Sequence, residues 1–170
     1  MEKIREESSK AVISEPRRPL TKAEKVEETV HNNMLIAMGC GLIPLPVYDN
    51  LAISSVQLKM LAELCSEYGI EFKKNWGKAV IATLLSSLSV DVLGRGIVRS
   101  FFKLIPFVGP IAGGLSMSLS AGATTFAIGK VFAQHFESGG TFLNFDAKKM
   151  KANFSDEFHK GITTVKKFGR

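Results

Sequence analysis

The sequence predicts an all-α protein: a helical bundle of about five to six helices with a glycine- and serine-rich hairpin that is membrane-embedded or re-entrant. First, no charged residue occurs between Lys103 and Lys130, roughly the length that a helix needs to cross a bilayer. Second, a capping sequence at Thr21 opens a segment with apolar residues at every fourth position. Third, apolar residues recur at three- or four-residue spacing near the C-terminus.

Composition narrows the classes of function. The 170 residues leave room for one domain with a core plus tails. The net charge of +6 suits an anionic partner, but basic and aromatic residues are not interleaved as in single-strand binders, so no nucleic acid is expected. Two cysteines, Cys40 and Cys65, are too few for a disulfide scaffold. The polar, charged N-terminus lacks the apolar core of a signal peptide, so we expect no export by that route.

The first helix is predicted to follow a flexible charged tail over residues 1–20. Thr21 and Glu24 fit a capping box, in which each side chain satisfies a free N–H of the first turn. Four apolar residues then follow at four-residue spacing: Val26, Val30, Met34 and Met38. Glycines and prolines stop or distort the helix: Gly39, Gly41, Pro44 and Pro46. The apolar run, about 15 residues, is too short to cross a bilayer comfortably, so a re-entrant or buried turn is expected.

The second helix is expected from about Leu51 to Tyr68, with Asp49 or Asn50 as its N-cap and Gly69 as its left-handed C-terminal residue. It has a wide apolar face: Leu51, Val56, Leu58, Leu61, Leu64, Cys65 and Tyr68. Polar residues also occur along it: Gln57, Lys59, Glu63 and Glu67. This mixed character indicates a helix that packs against the first as a hairpin.

A third helix is expected from about Lys78 to Leu93, after a basic stretch around the single tryptophan, Trp76. Tryptophan beside lysines is common at a membrane interface. A solvated helix start with Trp76 half-buried explains the same pattern. Both interpretations of Lys73, Lys74 and Lys78 remain open at this stage.

The uncharged stretch opens with Pro106 and Pro110 and predicts one long helix that ends near Phe136. Its small residues recur at four-residue spacing: Gly109 with Gly113, and Gly114 with Ser118 and Gly122. Small residues let another helix backbone come close, which drives association inside lipid. The alternative is a buried helix of a soluble bundle.

The last segment, residues 139–170, is predicted to be a basic amphipathic helix after the breaker Ser138-Gly139-Gly140. Its apolar positions are Met150, Phe154, Phe158, Ile162 and Val165. The lysines expected to contact an anionic membrane surface are Lys148, Lys149, Lys151, Lys166 and Lys167. The alternative is a helix packed on the bundle with a solvated outer face. Basic residues flank both sides of the apolar part of residues 21–138, the predicted membrane-associated domain, so both termini are expected in the cytoplasm.

Catalytic and cofactor motifs are absent from the sequence. Gly77-Lys78 and Gly129-Lys130 lack both the earlier glycine and the following hydroxyl of a P-loop. The histidines are far apart in the chain, and no Gly-x-Ser-x-Gly occurs. We therefore expect no catalysis, no cofactor and no metal.

One set of residues is specific enough to indicate a protein family. The first half of the chain has Ile43-Pro44-x-Pro46-x-x-Asp49, then Gln57-x-x-Met60 and Tyr68-Gly69, and the second half has Ile105-Pro106-x-x-Gly109 with Thr125 and Gly129. From about Met34 to Phe136 the chain resembles the bacterial GTPase-associated family of unknown function that includes the YcjF-like inner-membrane proteins. The resemblance implies a helical domain of the bacterial inner membrane, often fused to a GTPase or encoded beside one. Since this chain has no GTPase motif, any such enzyme is expected to be a separate chain.

These observations favour a non-enzymatic, membrane-associated helical protein that acts as an adaptor or anchor, with anionic lipid, a separate GTPase and further copies of itself as candidate partners. A second hypothesis is a membrane-remodelling or pore-forming protein whose glycine-rich helix oligomerises in the bilayer. A third is a soluble helical bundle that self-associates through the same small residues.

Overall fold

The computed structural model describes residues 18–42, 48–95 and 109–168. These ranges contain five α-helices and no strand, which confirms the predicted all-α class. The helices are α1 (Lys22–Cys40), α2 (Tyr48–Tyr68), α3 (Lys74–Arg95), α4 (Gly109–Glu137) and α5 (Ala147–Phe168). Most of the predicted flexible tail lies outside the described residues, as do Pro44, Pro46 and Pro106.

The predicted capping box opens α1. The Glu24 N–H donates to Thr21 Oγ1 at 3.3 Å, and the Thr21 N–H donates to Glu24 Oε2 at 2.8 Å. Arg18 also donates to the Glu24 carboxylate. These hydrogen bonds, that from Arg18 above all, lower the pKa of Glu24 to about 2. At the other end of α1, the Gly41 N–H donates to the Ala37 carbonyl oxygen at 3.0 Å.

Helix α2 begins earlier than the sequence indicates and ends where it was predicted to end. It starts at Tyr48, so Asp49 and Asn50 lie in its first turn. Their side chains lie outside the described ones, so the predicted N-cap role stays a prediction. An acidic residue in that turn still faces the positive end of the helix dipole, which explains why the two positions are hard to separate by sequence. Gly69 has φ +68°, and the Ile70 N–H donates to the Cys65 carbonyl oxygen at 2.8 Å, as in a Schellman C-cap.

Helix α4 organises the bundle. Its 29 residues, about 43 Å long, pack against α1, α2 and α5, whereas α3 packs mainly on α5. Gly41 lies against Ser118, and Val30 lies against Gly129, so α1 and α4 are antiparallel. The buried core runs along these contacts and includes the following residues without any exposed area: Val30, Met34, Met60, Leu61, Leu64, Ile128, Val131 and Phe132.

Within the described ranges, no helix is both long enough and apolar enough to span a membrane. The glycine- and serine-rich helix exists as predicted, but its membrane-embedded or re-entrant arrangement is not confirmed. Serine, threonine and glycine dilute the apolar residues of α4, and Lys130 and Glu137 lie in its last third. Many of its side chains also pack on the chain's own helices.

Candidate functional site

Residues of the two motif-bearing halves meet along one seam between α2 and α4. The Gln57 amide donates to Thr125 Oγ1 at 3.4 Å, and both side chains are buried. One turn further on, a Cβ added at Gly129 would lie 2.9 Å from Met60 Sδ. At the end of α2, the Tyr68 ring lies 6.0 Å from the Phe136 ring. Residue numbers rise together along α2 and α4 in these three contacts, so the two helices are parallel. Residues of the two motifs therefore form part of the contact between α2 and α4.

At the small residues of α4 whose surroundings are described, helices of the same chain lie close. A Cβ at Gly122 would collide with the Met38 side chain and would lie 2.9 Å from Val165 Cγ1. Ser118 Oγ donates to the Met38 carbonyl oxygen at 2.8 Å. A Cβ at Gly41 would lie 2.8 Å from the Ser118 Cα. The close approach predicted for these small residues is present, and at these positions it is made within one chain.

The other predicted packing residues of α4 lie in its first two turns, where side chains are not described. Gly109 is the first residue of α4, and Gly113 and Gly114 follow within its first two turns. The surroundings of all three glycines lie outside the described side chains, as does the side chain of Asp49 in α2. Their predicted packing roles stay predictions.

One end of the bundle, which we call the apolar end, is where α1 finishes and α2 and α4 begin. Among the described side chains, large apolar ones are exposed there on α1, just after α1, on α2 and on α4: Leu35, Ile36, Leu42, Leu51 and Met117. Leu42 is 54% exposed and Leu51 is 65% exposed. A large exposed apolar area is the usual mark of contact with a membrane or another protein.

The opposite end, which we call the polar end, is where α2 and α4 finish and α1, α3 and α5 begin. A groove of about 600 Å³ lies there between α1, α2 and α4. It is flanked by charged and polar groups, and the Lys22 ammonium lies 4.0 Å from the centre of the Tyr68 ring. Lys130 pairs with Glu27 on the same side of the bundle. Burial, with Glu137 as a smaller cause, raises the pKa of Tyr68.

Helix α5 has the amphipathic pattern predicted for it, but its apolar face is packed on the bundle. Phe154, Phe158 and Val165 are buried in the core, and Gly161 lies against the Ala123 backbone. The structure therefore shows the packed alternative rather than a helix whose apolar face is free to lie on lipid. The lysines form two groups, one near Lys148 and one near Lys166, about 27 Å apart along the helix.

Among the described residues, the chemically reactive side chains lie apart from one another. In the part of the chain that the structure describes, no three His, Cys, Asp or Glu residues are grouped as metal ligands would be. Burial raises the pKa of the Cys65 thiol to about 11, so it is protonated near neutral pH. His135 is buried and its Nε2 lies 2.9 Å from the Thr141 carbonyl oxygen, a contact that fixes the turn after α4.

Sequence reasoning missed two features of these ends. Leu51 was expected in the packed face of α2, but it lies in the first turn and points to solvent. The aromatic residues of the turn before α5 were also not recognised: Phe142 and Phe145 pack on Phe132. Phenylalanines on both sides of a Gly-Gly breaker are a signal that could have indicated this packing.

Comparisons with known proteins place the chain in a family. Residues 6–161 match the family described as a domain of unknown function, DUF697. Magnetosome membrane protein 22 of Magnetospirillum gryphiswaldense is 36% identical over 135 residues, which are 79% of this chain and 69% of that protein. No solved structure matches the chain. The family match confirms a family of unknown function, and it extends beyond the predicted region, from Met34 to Phe136, to most of α5.

Proposed function

The chain belongs to the DUF697 family, and we propose that it is a non-enzymatic membrane-associated adaptor whose apolar end contacts the bilayer. The observation that carries this proposal is the group of exposed leucine, isoleucine and methionine side chains where α1, α2 and α4 meet. The stretches that follow α1 and precede α4, residues 43–47 and 104–108, carry no charge in the sequence. A lipid environment would cover this surface without the cost of exposing it to water.

The positions of two basic residues also support an orientation with the apolar end in the bilayer. Lys166 and Lys167 are exposed near the end of α5, and Val165 lies against Gly122 in the half of α4 that leads to the apolar end. With that end in the bilayer, these lysines would lie close to anionic headgroups, where each basic residue contributes about 1 kcal/mol. Lys148, Lys149 and Lys151 would lie too far away for the same contact, since the Debye length is only about 8–10 Å.

The comparisons with known proteins support membrane association. The relative from Magnetospirillum is named as a membrane protein, and we extend membrane association to this chain on that basis. From the sequence resemblance we further propose the bacterial inner membrane as its location, with both termini in the cytoplasm. The partner of the polar end would then be a separate cytoplasmic chain, with a GTPase as the candidate.

The small residues do not favour the two alternative functions. A pore or a self-associated bundle was predicted from the small surface of α4, but Gly122 and Gly129 already pack on Met38, Val165, Val30 and Met60 of the same chain. A second copy could use these positions only after those helices moved away. We therefore propose a single-chain adaptor as the basic unit.

The test is flotation of the protein with phosphatidylglycerol–phosphatidylethanolamine vesicles. We expect the wild type to float and Leu42→Asp with Leu51→Asp to float at least about tenfold less, because burying one leucine is worth about 1.5–3 kcal/mol. Both leucines are exposed, so the variant should fold, and circular dichroism checks this. Flotation of the double variant at the wild-type level would overturn the proposal.

Leu143→Asp provides the matched control. Leu143 is 78% exposed at the polar end, so this variant adds the same kind of charge at the opposite end of the bundle. We expect Leu143→Asp to float like the wild type. Equal losses for the control and the double variant would show that flotation does not depend on the apolar end.

A further inference from the structure

We propose that a second surface, at the polar end, binds an acidic segment of a protein partner. This surface, which we call the Lys–Trp surface, consists of Lys74, Trp76 and Lys78 at the start of α3 and of Leu143 and Lys148 around the start of α5. None of these residues is buried in the bundle.

The two parts of the Lys–Trp surface are held side by side by the core beneath them. The ring of Phe72, just before α3, lies 6.2 Å from the ring of Phe142, just before α5. Gly77 also lies on Phe72, since a Cβ there would be 3.1 Å from the Phe72 ring. The turn before α3 and the turn before α5 therefore lie next to each other over the contact of Phe72 with Phe142.

Two large apolar side chains stand out from this surface. Leu143 is 78% exposed and Trp76 is 38% exposed. The Lys73 ammonium lies 4.5 Å from the centre of a Trp76 ring, which orients the indole. Single exposed apolar residues are common on proteins, but an exposed tryptophan is the residue type most often found to dominate binding at interfaces.

The charges around these two side chains are mainly positive. Lys73 pairs with Glu71 at 3.5 Å, and Lys149 pairs with Asp146 at 3.8 Å. In the described parts of the chain, the amines of Lys74, Lys78 and Lys148 have no acidic group within 4.0 Å. A partner with clustered carboxylates and one apolar side chain would complement this surface, because opposite potentials steer association and fix orientation.

The choice of a protein over a lipid surface rests on the proposed function. With the apolar end in the bilayer, the Lys–Trp surface lies about 30 Å away along α4, well beyond the reach of headgroup charge at physiological salt. The same bilayer therefore cannot be its partner, and the surface faces the solution.

The single tryptophan makes a direct test possible, because all tryptophan fluorescence of the full chain comes from Trp76. The probe is a synthetic glutamate-rich peptide with one central phenylalanine, titrated into the full chain both in solution and in the presence of vesicles. We expect a saturable blue shift that weakens as salt rises. The same peptide with glutamine at every glutamate position should leave the emission unchanged.

Two charge-reversal variants locate the binding site. Lys74→Glu with Lys148→Glu should weaken peptide binding by about tenfold or more, as expected for the loss of two exposed ion pairs and their replacement by repulsion. Lys25→Glu with Lys59→Glu, which makes the same change in net charge at exposed positions of α1 and α2, should bind the peptide like the wild type. Equal loss in both variants would overturn the proposed site.

The outcomes separate this proposal from the proposed function. No emission change with the acidic peptide, while the protein still floats, overturns the Lys–Trp surface alone. A blue shift caused by the vesicles themselves shows that the surface meets lipid and also overturns it. Peptide binding by a protein that does not float leaves the binding site supported and overturns the membrane orientation.

Discussion

At the polar end of the bundle the core is filled by aromatic rings, whereas at the apolar end helix backbones touch. Phe132 has no exposed area and stacks on Phe145 with ring centres 4.5 Å apart. At the apolar end Gly41 lies so close to Ser118 that a Cβ would come within 2.8 Å of its Cα. The same helix, α4, takes part in both kinds of packing.

The difference shows how each half responds to change. An interior filled by large side chains is sensitive to the removal of atoms, because a cavity remains. A contact between backbones is sensitive to the addition of atoms, because the backbone cannot move aside as a flexible side chain can. The bundle therefore has a polar end stabilised by buried volume and an apolar end in which small residues leave room for close helices.

The largest effect is expected when an aromatic ring is removed from the polar end. Phe132→Ala should lower the free energy of unfolding by about 3–5 kcal/mol, since it creates a cavity among Phe136, Phe142 and Phe145. Urea unfolding followed by circular dichroism measures the change. Phe132→Leu, which keeps much of the volume, should cost clearly less, and equal losses would contradict a cavity as the cause.

An intermediate effect is expected when one methyl group is added where α5 crosses α4. A Cβ at Gly161 would lie 2.9 Å from the Ala123 carbonyl oxygen and 3.0 Å from the Ala123 Cα. Gly161→Ala should therefore destabilise the protein by about 1–3 kcal/mol, although alanine is the better helix former. The same urea experiment measures it.

Gly39→Ala is the matched control for this substitution. Gly39 lies in the last turn of α1, and in the described part of the chain no heavy atom beyond its immediate neighbours and its own helix backbone lies within 4 Å of an added Cβ. This variant should be as stable as the wild type or more stable, by up to about 1 kcal/mol, from helix propensity alone. If Gly161→Ala also stabilised the protein, the close contact between α4 and α5 would be wrong.

The smallest effect concerns the surface of the polar end and depends on pH. Because the folded pKa of Glu24 is about 2, below its ordinary value of 4.5, its contribution to stability is present above pH 4.5 and is lost as pH falls towards 2. Glu24→Gln should therefore be less stable than the wild type near pH 7, and the two should converge at the acid end. A constant difference across this range would show that Arg18 and Thr21 do not hold the carboxylate.

Local signals in the sequence were sufficient to predict the helices and some of their ends. The capping box of Thr21 and Glu24 and the left-handed Gly69 involve only neighbouring residues, and both were predicted. The apolar spacing of α5 also predicted its buried face through Phe154 and Phe158. The start of α2 was misplaced because an acidic residue suits both the N-cap and the first turn.

The candidate site was predicted only in part. The sequence indicated that the lysines lie on a surface and that the small residues pack closely. It left open whether the apolar face of α5 lies on lipid or on the bundle. Leu51 was wrongly assigned to the packed face of α2. The exposed side of an amphipathic helix can be predicted from the sequence. What covers its apolar side depends on which other helix packs against it in the tertiary structure.

Composition and spacing along the chain by themselves determined an all-helical protein with a small-residue helix at its centre, because helix periodicity and capping act over a few residues. The tertiary structure alone decided that Gln57 meets Thr125, that Gly122 receives Met38 and Val165 of the same chain, and that the exposed apolar residues gather at one end. These contacts join residues far apart in the chain. Their partners are selected by how five helices fill space together, which no local pattern encodes.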